Sequence, residues 1–258
     1  MKQITTNQVS YYQFEAWADV KHGFFTRAGG YSESPWNSLN VGGTLGDDPD
    51  AVRRNHALMY AALNVNKQRA CTTWLVHGVD VVAVHGPVEG RRWLAKADGM
   101  ITHFPDTPLV MRYADCTPLM FHDPTKQVIG IAHAGWRGTV AGMGRRMVEA
   151  LQQTYGCQPQ DIHVGIGPCI SRDRYQVGEE VVGAVQDYFG TVEGLIVRDP
   201  DDGTAYFDLV AANRLDLQRA GVHHIDESGL CTATKTDEFY SHRAEKGQTG
   251  RFGAIISL

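Results

Sequence analysis

The chain lacks the features of membrane-spanning, exported and nucleic-acid-binding proteins. None of its apolar runs approaches the roughly 18 residues that a membrane span needs, and residues 1–7 lack the apolar segment of a signal peptide. There are 24 lysines and arginines against 29 acidic residues, a net charge of −5. The pairs Arg91-Arg92 and Arg145-Arg146 are more typical of solvated faces than of a nucleic-acid footprint. We therefore expect a cytoplasmic protein that binds neither membrane nor nucleic acid.

Disulfide frameworks, repeats and linkers are also missing. The five cysteines are odd in number and lack paired spacing, which fits a reducing compartment. No internal repeat, low-complexity tract or Pro/Ser-rich linker divides the chain. At 258 residues it is long enough to bury a sizeable core. We expect one domain over residues 1–258, present as a monomer or small homo-oligomer.

Hydrophobic periodicity predicts alternating hairpins and helices. Residues 22–46 are rich in Gly, Ser and Asn and predict loops. Helices are predicted at 50–63, 139–155, 178–188 and 209–220. Strands are predicted at 74–77, 79–84, 108–113, 118–121, 128–132, 162–166, 195–198, 222–225 and 252–257. Because strands occur both in hairpins and beside helices, we predict an α/β (α+β) fold: a layered sandwich of mixed sheets flanked by helices.

The most informative segment is residues 133–139, His-Ala-Gly-Trp-Arg-Gly-Thr, which joins a predicted strand to a predicted helix. Imidazole binds metals and carries protons. Glycines let backbone approach a ligand closely, and helix N-termini favour anions. The combination of His133, Arg137 and two glycines therefore predicts a functional site with an anion subsite.

Two further segments share the same form, in which a metal-binding side chain follows a predicted strand and precedes a Gly or Pro. They contain His77 and Cys116. With His133 they offer three protein ligands, which leaves zinc an open fourth position as in catalytic sites. Copper also accepts these donors. The spacings of 39 and 17 residues match no local zinc-finger pattern, so packed or capping roles for these residues stay open.

Other residues are candidates for catalysis or substrate binding, each with a plainer alternative. Asp115 would serve as a base beside Cys116 or as a turn residue. Cys169 would be a pocket thiol or a small buried side chain. Arg and His side chains in polar loops would bind phosphate or a base, or would stay solvated. The substrate-binding candidates are Arg27, Asn40, Arg137, Cys169, His242 and Arg243.

Two other chemistries stay open from the residue types. Cys116 as nucleophile with His133 as base would make a cysteine hydrolase or a cell-wall precursor editing enzyme. The same ligands with copper would support polyphenol oxidation. The 11 histidines include no His-x-His, which disfavours a multicopper, laccase-type centre.

Taken in order, the motifs resemble those of the YfiH-like family, a laccase-domain (polyphenol oxidase) family of the purine nucleoside phosphorylase type. They cover residues from about 20 to 258. The motifs that carry the resemblance are HGFFTR at 22–27, SLNVG at 38–42, VHG at 76–78, ADG at 97–99, ADCTP at 114–118, AHAGWRGT at 132–139, GIGP at 165–168, YSHR at 240–243 and TGR at 249–251.

The resemblance implies a layered α/β sandwich and a zinc site at His77, Cys116 and His133. It also implies phosphorolysis of adenosine, inosine and methylthioadenosine, together with deamination of adenosine. Asp115, Cys116 and His133 are then the expected catalytic residues, and purine nucleosides and phosphate the expected partners. One position departs from the family, because Leu75 stands where a Gln usually precedes Val-His-Gly.

Overall fold

The computed structural model describes residues 1–86 and 93–258, so the Arg91-Arg92 pair lies outside the described residues. The helices are α1 (Pro49–Ala62), α2 (Trp136–Val140), α3 (Met143–Tyr155), α4 (Glu179–Phe189) and α5 (Leu209–Arg219). The strands are β1 (Lys2–Thr6), β2 (Val9–Gln13), β3 (Lys21–Phe25), β4 (Val81–Ala83), β5 (Gly99–Thr102), β6 (Leu109–Tyr113), β7 (Thr117–Asp123), β8 (Val128–Ala134), β9 (His163–Ile166), β10 (Gln176–Val177), β11 (Ile196–Arg198), β12 (Ala205–Phe207), β13 (His224–Glu227) and β14 (Phe252–Ser257).

Two large sheets form the centre of the molecule. The first is antiparallel, in the order β1-β2-β3-β14-β6. The second is mixed, in the order β13-β9-β7-β8-β5-β4, with parallel pairs at both edges. A small antiparallel sheet, β10-β12-β11, lies beside them. The prediction of mixed sheets flanked by helices is confirmed.

The layers follow from side-chain alternation along the strands. In β14, Phe252 and Ala254 face a core shared with Met120 and Ile131 of the second sheet, whereas Ile255 faces the opposite side. That opposite side is covered by α1, and the far face of the second sheet is covered by α3 and α5. Because successive strand residues point to opposite faces, both sheets are buried between helices.

The predicted helix 139–155 is wrong as one element, because the chain forms α2 and α3 separated by Gly142. This glycine has φ +79°, a left-handed conformation that ends a right-handed helix. A Cβ at this position would lie 2.2 Å from the Tyr188 hydroxyl oxygen. The predicted helix 50–63 is confirmed as α1, and the Asp48 side chain accepts a hydrogen bond from the Asp50 N–H at its start.

Two other expectations need correction. Residues 74–77 form no strand: Trp74 makes only an isolated bridge, and the N–H groups of residues 76–78 donate to the Asp98 carboxylate instead. Residues 22–25 belong to β3 rather than to a loop, because Phe24 and Phe25 alternate between two cores. The hairpin of β1 and β2 and the strands β5, β10 and β12 were not predicted. Within the described part of the chain, no helix is long and apolar enough to cross a membrane.

Candidate metal centre

The three predicted metal ligands meet at one point. The ligand atoms of His77, Cys116 and His133 all lie within 4.8 Å of one another. Tetrahedral zinc with bonds of about 2.0–2.3 Å spaces its ligand atoms by roughly 3.5 Å, so small side-chain movements would close the set. Two imidazoles and a thiolate suit zinc or copper, and three protein ligands leave the fourth position open. This donor set fits a catalytic metal ion.

The three candidate ligands lie in different kinds of backbone structure. His133 lies near the end of β8 and is buried. Cys116 lies in the turn between β6 and β7, directly after Asp115, whose φ is +80°. His77 is exposed and has φ +60°. Non-glycine residues rarely adopt left-handed backbone, and such residues often occur at functional sites.

Asp98, which the sequence analysis did not single out as a site residue, holds two ligands in place. Its Oδ1 lies 2.9 Å from Nδ1 of His133 and accepts a hydrogen bond from the His77 N–H at 3.1 Å. Its Oδ2 accepts from the N–H groups of Val76 and Gly78. Burial raises the pKa of Asp98, but these hydrogen bonds lower it overall. Since Nδ1 is engaged, Nε2 of His133 is left for the metal.

The electrostatics of the centre favour a metal-binding thiolate. Burial raises the pKa of Cys116, but the His133 and His77 imidazoles outweigh burial and lower it to about 6. Burial lowers the pKa of His133, but Cys116 and Asp98 outweigh that effect and raise it to about 9. A lowered pKa favours the thiolate, which is the form of cysteine that binds zinc.

Metal binding should therefore weaken in acid. Above about pH 6 the Cys116 sulfur is a thiolate, whereas below that pH a proton competes with the metal for it. We expect zinc affinity to fall about tenfold per pH unit between pH 7.5 and 6, where zinc displaces a proton from His133, and more steeply below pH 6, where it displaces a proton from Cys116 as well. Zinc titration against a chromogenic chelator between pH 7.5 and 5 measures this. A pH dependence that does not steepen below pH 6 would contradict a thiolate ligand.

Because Gly135 has no side chain, the Cys116 sulfur can lie close to its backbone. A Cβ at this position would lie 2.9 Å from Sγ of Cys116 and 3.4 Å from Cδ2 of His77. We expect Gly135→Ala to displace the sulfur and weaken zinc binding at least about tenfold. Zinc titration of Gly183→Ala, at a helical glycine with no atom within 4 Å of an added Cβ, is the control. Equal zinc affinity of the two variants would show that Gly135 is not needed.

The three ligands open into a cavity of about 550 Å³. Four arginines of the described part of the chain line it, together with aromatic and aliphatic side chains. Among the described residues, the lining is Gly42, Gly43, Thr44, Leu45, Trp74, Leu75, His77, Arg112, Ala114, Asp115, Cys116, His133, Gly135, Trp136, Arg137, Ile170, Tyr175, Leu209, His242, Arg243 and Arg251. Apolar walls with a few convergent charged groups are typical of small-molecule sites. Leu75, the departure from the family pattern, therefore lies in the cavity wall.

The structure brings some predicted substrate-binding residues to the cavity and places others elsewhere. Arg137, His242 and Arg243 line it. Arg27 does not, because its guanidinium is paired with Glu245. Buried Asn40 bonds Asp47 and the backbone, and Cys169 lines a second cavity.

Asp115 reaches the cavity, but its carboxylate is already engaged. Oδ1 accepts from the Thr232 hydroxyl at 2.6 Å, and Oδ2 accepts from the Arg243 N–H at 2.7 Å. Asp115 thus ties the Cys116 turn to the segment that carries His242 and Arg243. Arg243 in turn lies over the Tyr175 ring, 5.1 Å from its centroid.

Other cavity residues were missed by the sequence analysis. Arg112 and Arg251 come from β6 and from the segment just before β14, far apart in the sequence. Arg251 belongs to the Thr-Gly-Arg motif, which was the available signal. Burial lowers the pKa of Arg251. Its guanidinium donates to the carbonyls of Thr249 and Gly250.

Comparison with known proteins agrees with this architecture. Residues 21–258 match the family model described as multi-copper polyphenol oxidoreductase laccase. A purine nucleoside phosphorylase of Deinococcus radiodurans is 41% identical over 239 residues, covering 93% of this chain and 89% of that protein. The purine nucleoside phosphorylase YfiH of Escherichia coli is 34% identical, covering 90% of this chain and 91% of that protein.

Solved structures show the same fold. The crystal structure of YlmD from Geobacillus stearothermophilus superposes with a TM-score of 0.93 at 33% identity, covering 99% of this chain and 97% of that one. That of YfiH from Bacillus licheniformis gives 0.92 at 30% identity, covering 98% and 97%. The chain therefore belongs to the YfiH-like family of laccase-domain proteins.

Proposed function

We propose that the protein is a zinc-dependent purine nucleoside enzyme. It would cleave adenosine, inosine and methylthioadenosine with phosphate and would also deaminate adenosine. The observation that carries the proposal is the His77, Cys116 and His133 donor set, which opens into a cavity lined by four arginines. The relatives named purine nucleoside phosphorylase, at 41% and 34% identity, support the substrate class.

Phosphorolysis needs a bound anion beside a ribose. A phosphate oxygen forms a bond to the ribose anomeric carbon, the glycosidic bond breaks, and the purine leaves with a proton. Guanidinium groups suit phosphate because their N–H groups match its oxygens. Arg137 and Arg243 face the cavity as phosphate donors, and exposed His242 would supply the proton to the purine.

The aromatic walls would hold the base. Trp136, Trp74 and Tyr175 line the same cavity, and flat π-surfaces stack well with purines. Because both carboxylate oxygens of Asp115 accept hydrogen bonds from the protein, we assign this residue to positioning Arg243 rather than to proton transfer.

For deamination, His77, Cys116 and His133 would hold the zinc ion. A zinc ion supplies Lewis acidity, which lowers the pKa of water and polarises a substrate atom. Copper in the same ligand set is the alternative that the family description favours. A copper centre would oxidise phenols only when oxygen is present, whereas nucleoside cleavage would proceed without oxygen.

The cysteine hydrolase remains the third candidate, because Cys116 is hydrogen-bonded to His133 and its pKa is lowered. Metal analysis separates the two roles. Stoichiometric zinc that is lost in Cys116→Ser supports ligation, whereas a metal-free protein that forms a covalent adduct at Cys116 supports a nucleophile.

The decisive experiment incubates pure, zinc-loaded protein with adenosine, with and without phosphate, under anaerobic conditions. We expect adenine, hypoxanthine and ribose 1-phosphate only with phosphate, and inosine in both cases. His77→Ala should lose zinc and both activities by at least about tenfold. His103→Ala, an exposed histidine outside the cavity, is the matched control. Intact zinc content and turnover in His77→Ala would overturn the proposal.

A further inference from the structure

Two cysteines that are not candidate metal ligands lie next to each other in the fold. Cys169 and Cys231 face each other in an isolated parallel bridge. The Cys169 N–H donates to the Leu230 carbonyl at 3.3 Å, and the Thr232 N–H donates to the Cys169 carbonyl at 3.0 Å. Neighbouring strands lie about 4.8 Å apart, and disulfides join Cα atoms about 4.4–6.8 Å apart. The backbone therefore permits a bond between these cysteines.

Both cysteines line one cavity of about 300 Å³, whose lining shares no described residue with the cavity at the metal centre. Cys169 is buried and Cys231 is partly exposed. A small solute that enters this cavity therefore meets the sulfur of Cys231 first.

The Cys231 sulfur is activated by Ser171. It accepts hydrogen bonds from the Ser171 hydroxyl at 3.0 Å and from the Ser171 N–H at 3.3 Å. Burial raises the pKa of Cys231, but the hydrogen bonds from Ser171 and Thr234 outweigh burial and lower it. Burial raises the pKa of Cys169 to about 12. One sulfur thus favours the reactive thiolate, while its neighbour stays a thiol.

We propose that Cys231 is an oxidation site for small hydroperoxides and that Cys169 resolves the product as a reversible disulfide. In the first step the Cys231 sulfur attacks the outer oxygen of the hydroperoxide. The S–O bond forms, the O–O bond breaks, and the leaving oxygen takes the proton that the Cys231 thiol has lost and departs as an alcohol or water. In the second step the Cys169 sulfur attacks Cys231, the S–O bond breaks, and water leaves with the Cys169 proton. Two thiols are oxidised and one hydroperoxide is reduced.

The test treats zinc-saturated protein with a few equivalents of hydrogen peroxide at pH 7, because Cys116 is the competing thiol with a lowered pKa. Remaining thiols are blocked with N-ethylmaleimide, and non-reduced peptides are identified by mass spectrometry. We expect a peptide pair linked through Cys169 and Cys231 and the loss of two blockable thiols. Dithiothreitol should restore both thiols.

Two variants separate the roles of the cysteines. In Cys169→Ala the link cannot form, and we expect dimedone to trap a sulfenic acid at Cys231. In Cys231→Ser we expect neither the link nor dimedone labelling at Cys169. Cys157→Ala, at a buried cysteine outside this cavity, should form the link as the parent does. The proposal would be overturned if the parent formed no linked peptide, an outcome that does not depend on the folding of any variant. It would also be overturned if dimedone labelled Cys169→Ala only at cysteines other than Cys231.

Discussion

Replacing Asp98 with Asn should weaken zinc binding about 10–100-fold, the usual cost of losing a group that orients a metal ligand. The carboxylate accepts four hydrogen bonds, from the His133 ring and from the backbone of Val76, His77 and Gly78. An amide offers one acceptor oxygen and places an NH₂ donor against other donors. A competitive zinc titration of the parent and the variant measures the change.

The control is Asp80→Asn, which removes an exposed carboxylate two residues beyond Gly78. It should leave the zinc affinity unchanged within about twofold. Asp98→Asn should also lower the free energy of unfolding by about 2 kcal/mol, because the amide that replaces this buried carboxylate cannot accept all four hydrogen bonds. Zinc affinity equal to that of the parent would show that the ligands are positioned without Asp98.

That His77, Cys116 and His133 form one candidate site could be predicted from the sequence, but the carboxylate that holds two of them in place could not. Each of the three residues precedes a Gly or Pro by one or two positions, and the family resemblance strengthened this weak local signal. Asp98 is hydrogen-bonded to His133, which lies 35 residues later in the chain. In the sequence, an aspartate just before a buried strand cannot be distinguished from a turn residue. Only the pairing of β5 with β8 brings the two side chains together.

The fold errors have a similar origin. The apolar run Trp-Leu-Val at residues 74–76 favours a strand, yet the Asp98 carboxylate accepts the hydrogen bonds that a neighbouring strand would otherwise accept from this backbone. The split between α2 and α3 depends on the left-handed conformation of Gly142. Local periodicity contains no information about either interaction.

Arg27 shows the same limit for the substrate site. Its guanidinium donates to Glu245 and to the carbonyls of Asn37 and Thr236, and it lies 4.4 Å from the centroid of the Tyr240 ring. Glu245 also accepts from the N–H of Ser241 and from the Thr249 hydroxyl. Arg27 thus shapes the segment that carries His242, Arg243 and Arg251, and it acts on the cavity through that segment.

Replacing Arg27 with Ala should lower the free energy of unfolding by about 3 kcal/mol, because a largely buried ion pair loses one partner and Glu245 is left unpaired. Urea unfolding measures this. Zinc affinity should stay within about twofold of the parent, because Arg27 contacts no metal ligand, whereas the KM for phosphate should rise as Arg243 loses its position. Arg53→Ala, which breaks an ion pair exposed to solvent at both ends, is the matched control and should cost less than about 1 kcal/mol.

The double variant Arg27→Ala/Glu245→Gln distinguishes positioning from direct substrate contact. If the ion pair is the source of stability, neutralising Glu245 removes the unpaired charge, so the double variant should be less destabilised than the sum of the single variants. Across Arg27→Ala, Glu245→Gln and the double variant, the increase in the KM for phosphate should then parallel the decrease in the free energy of unfolding. A rise in KM for Arg27→Ala without any loss of stability would instead mean that the guanidinium touches the substrate, and the role of Arg27 in shaping the segment would be wrong.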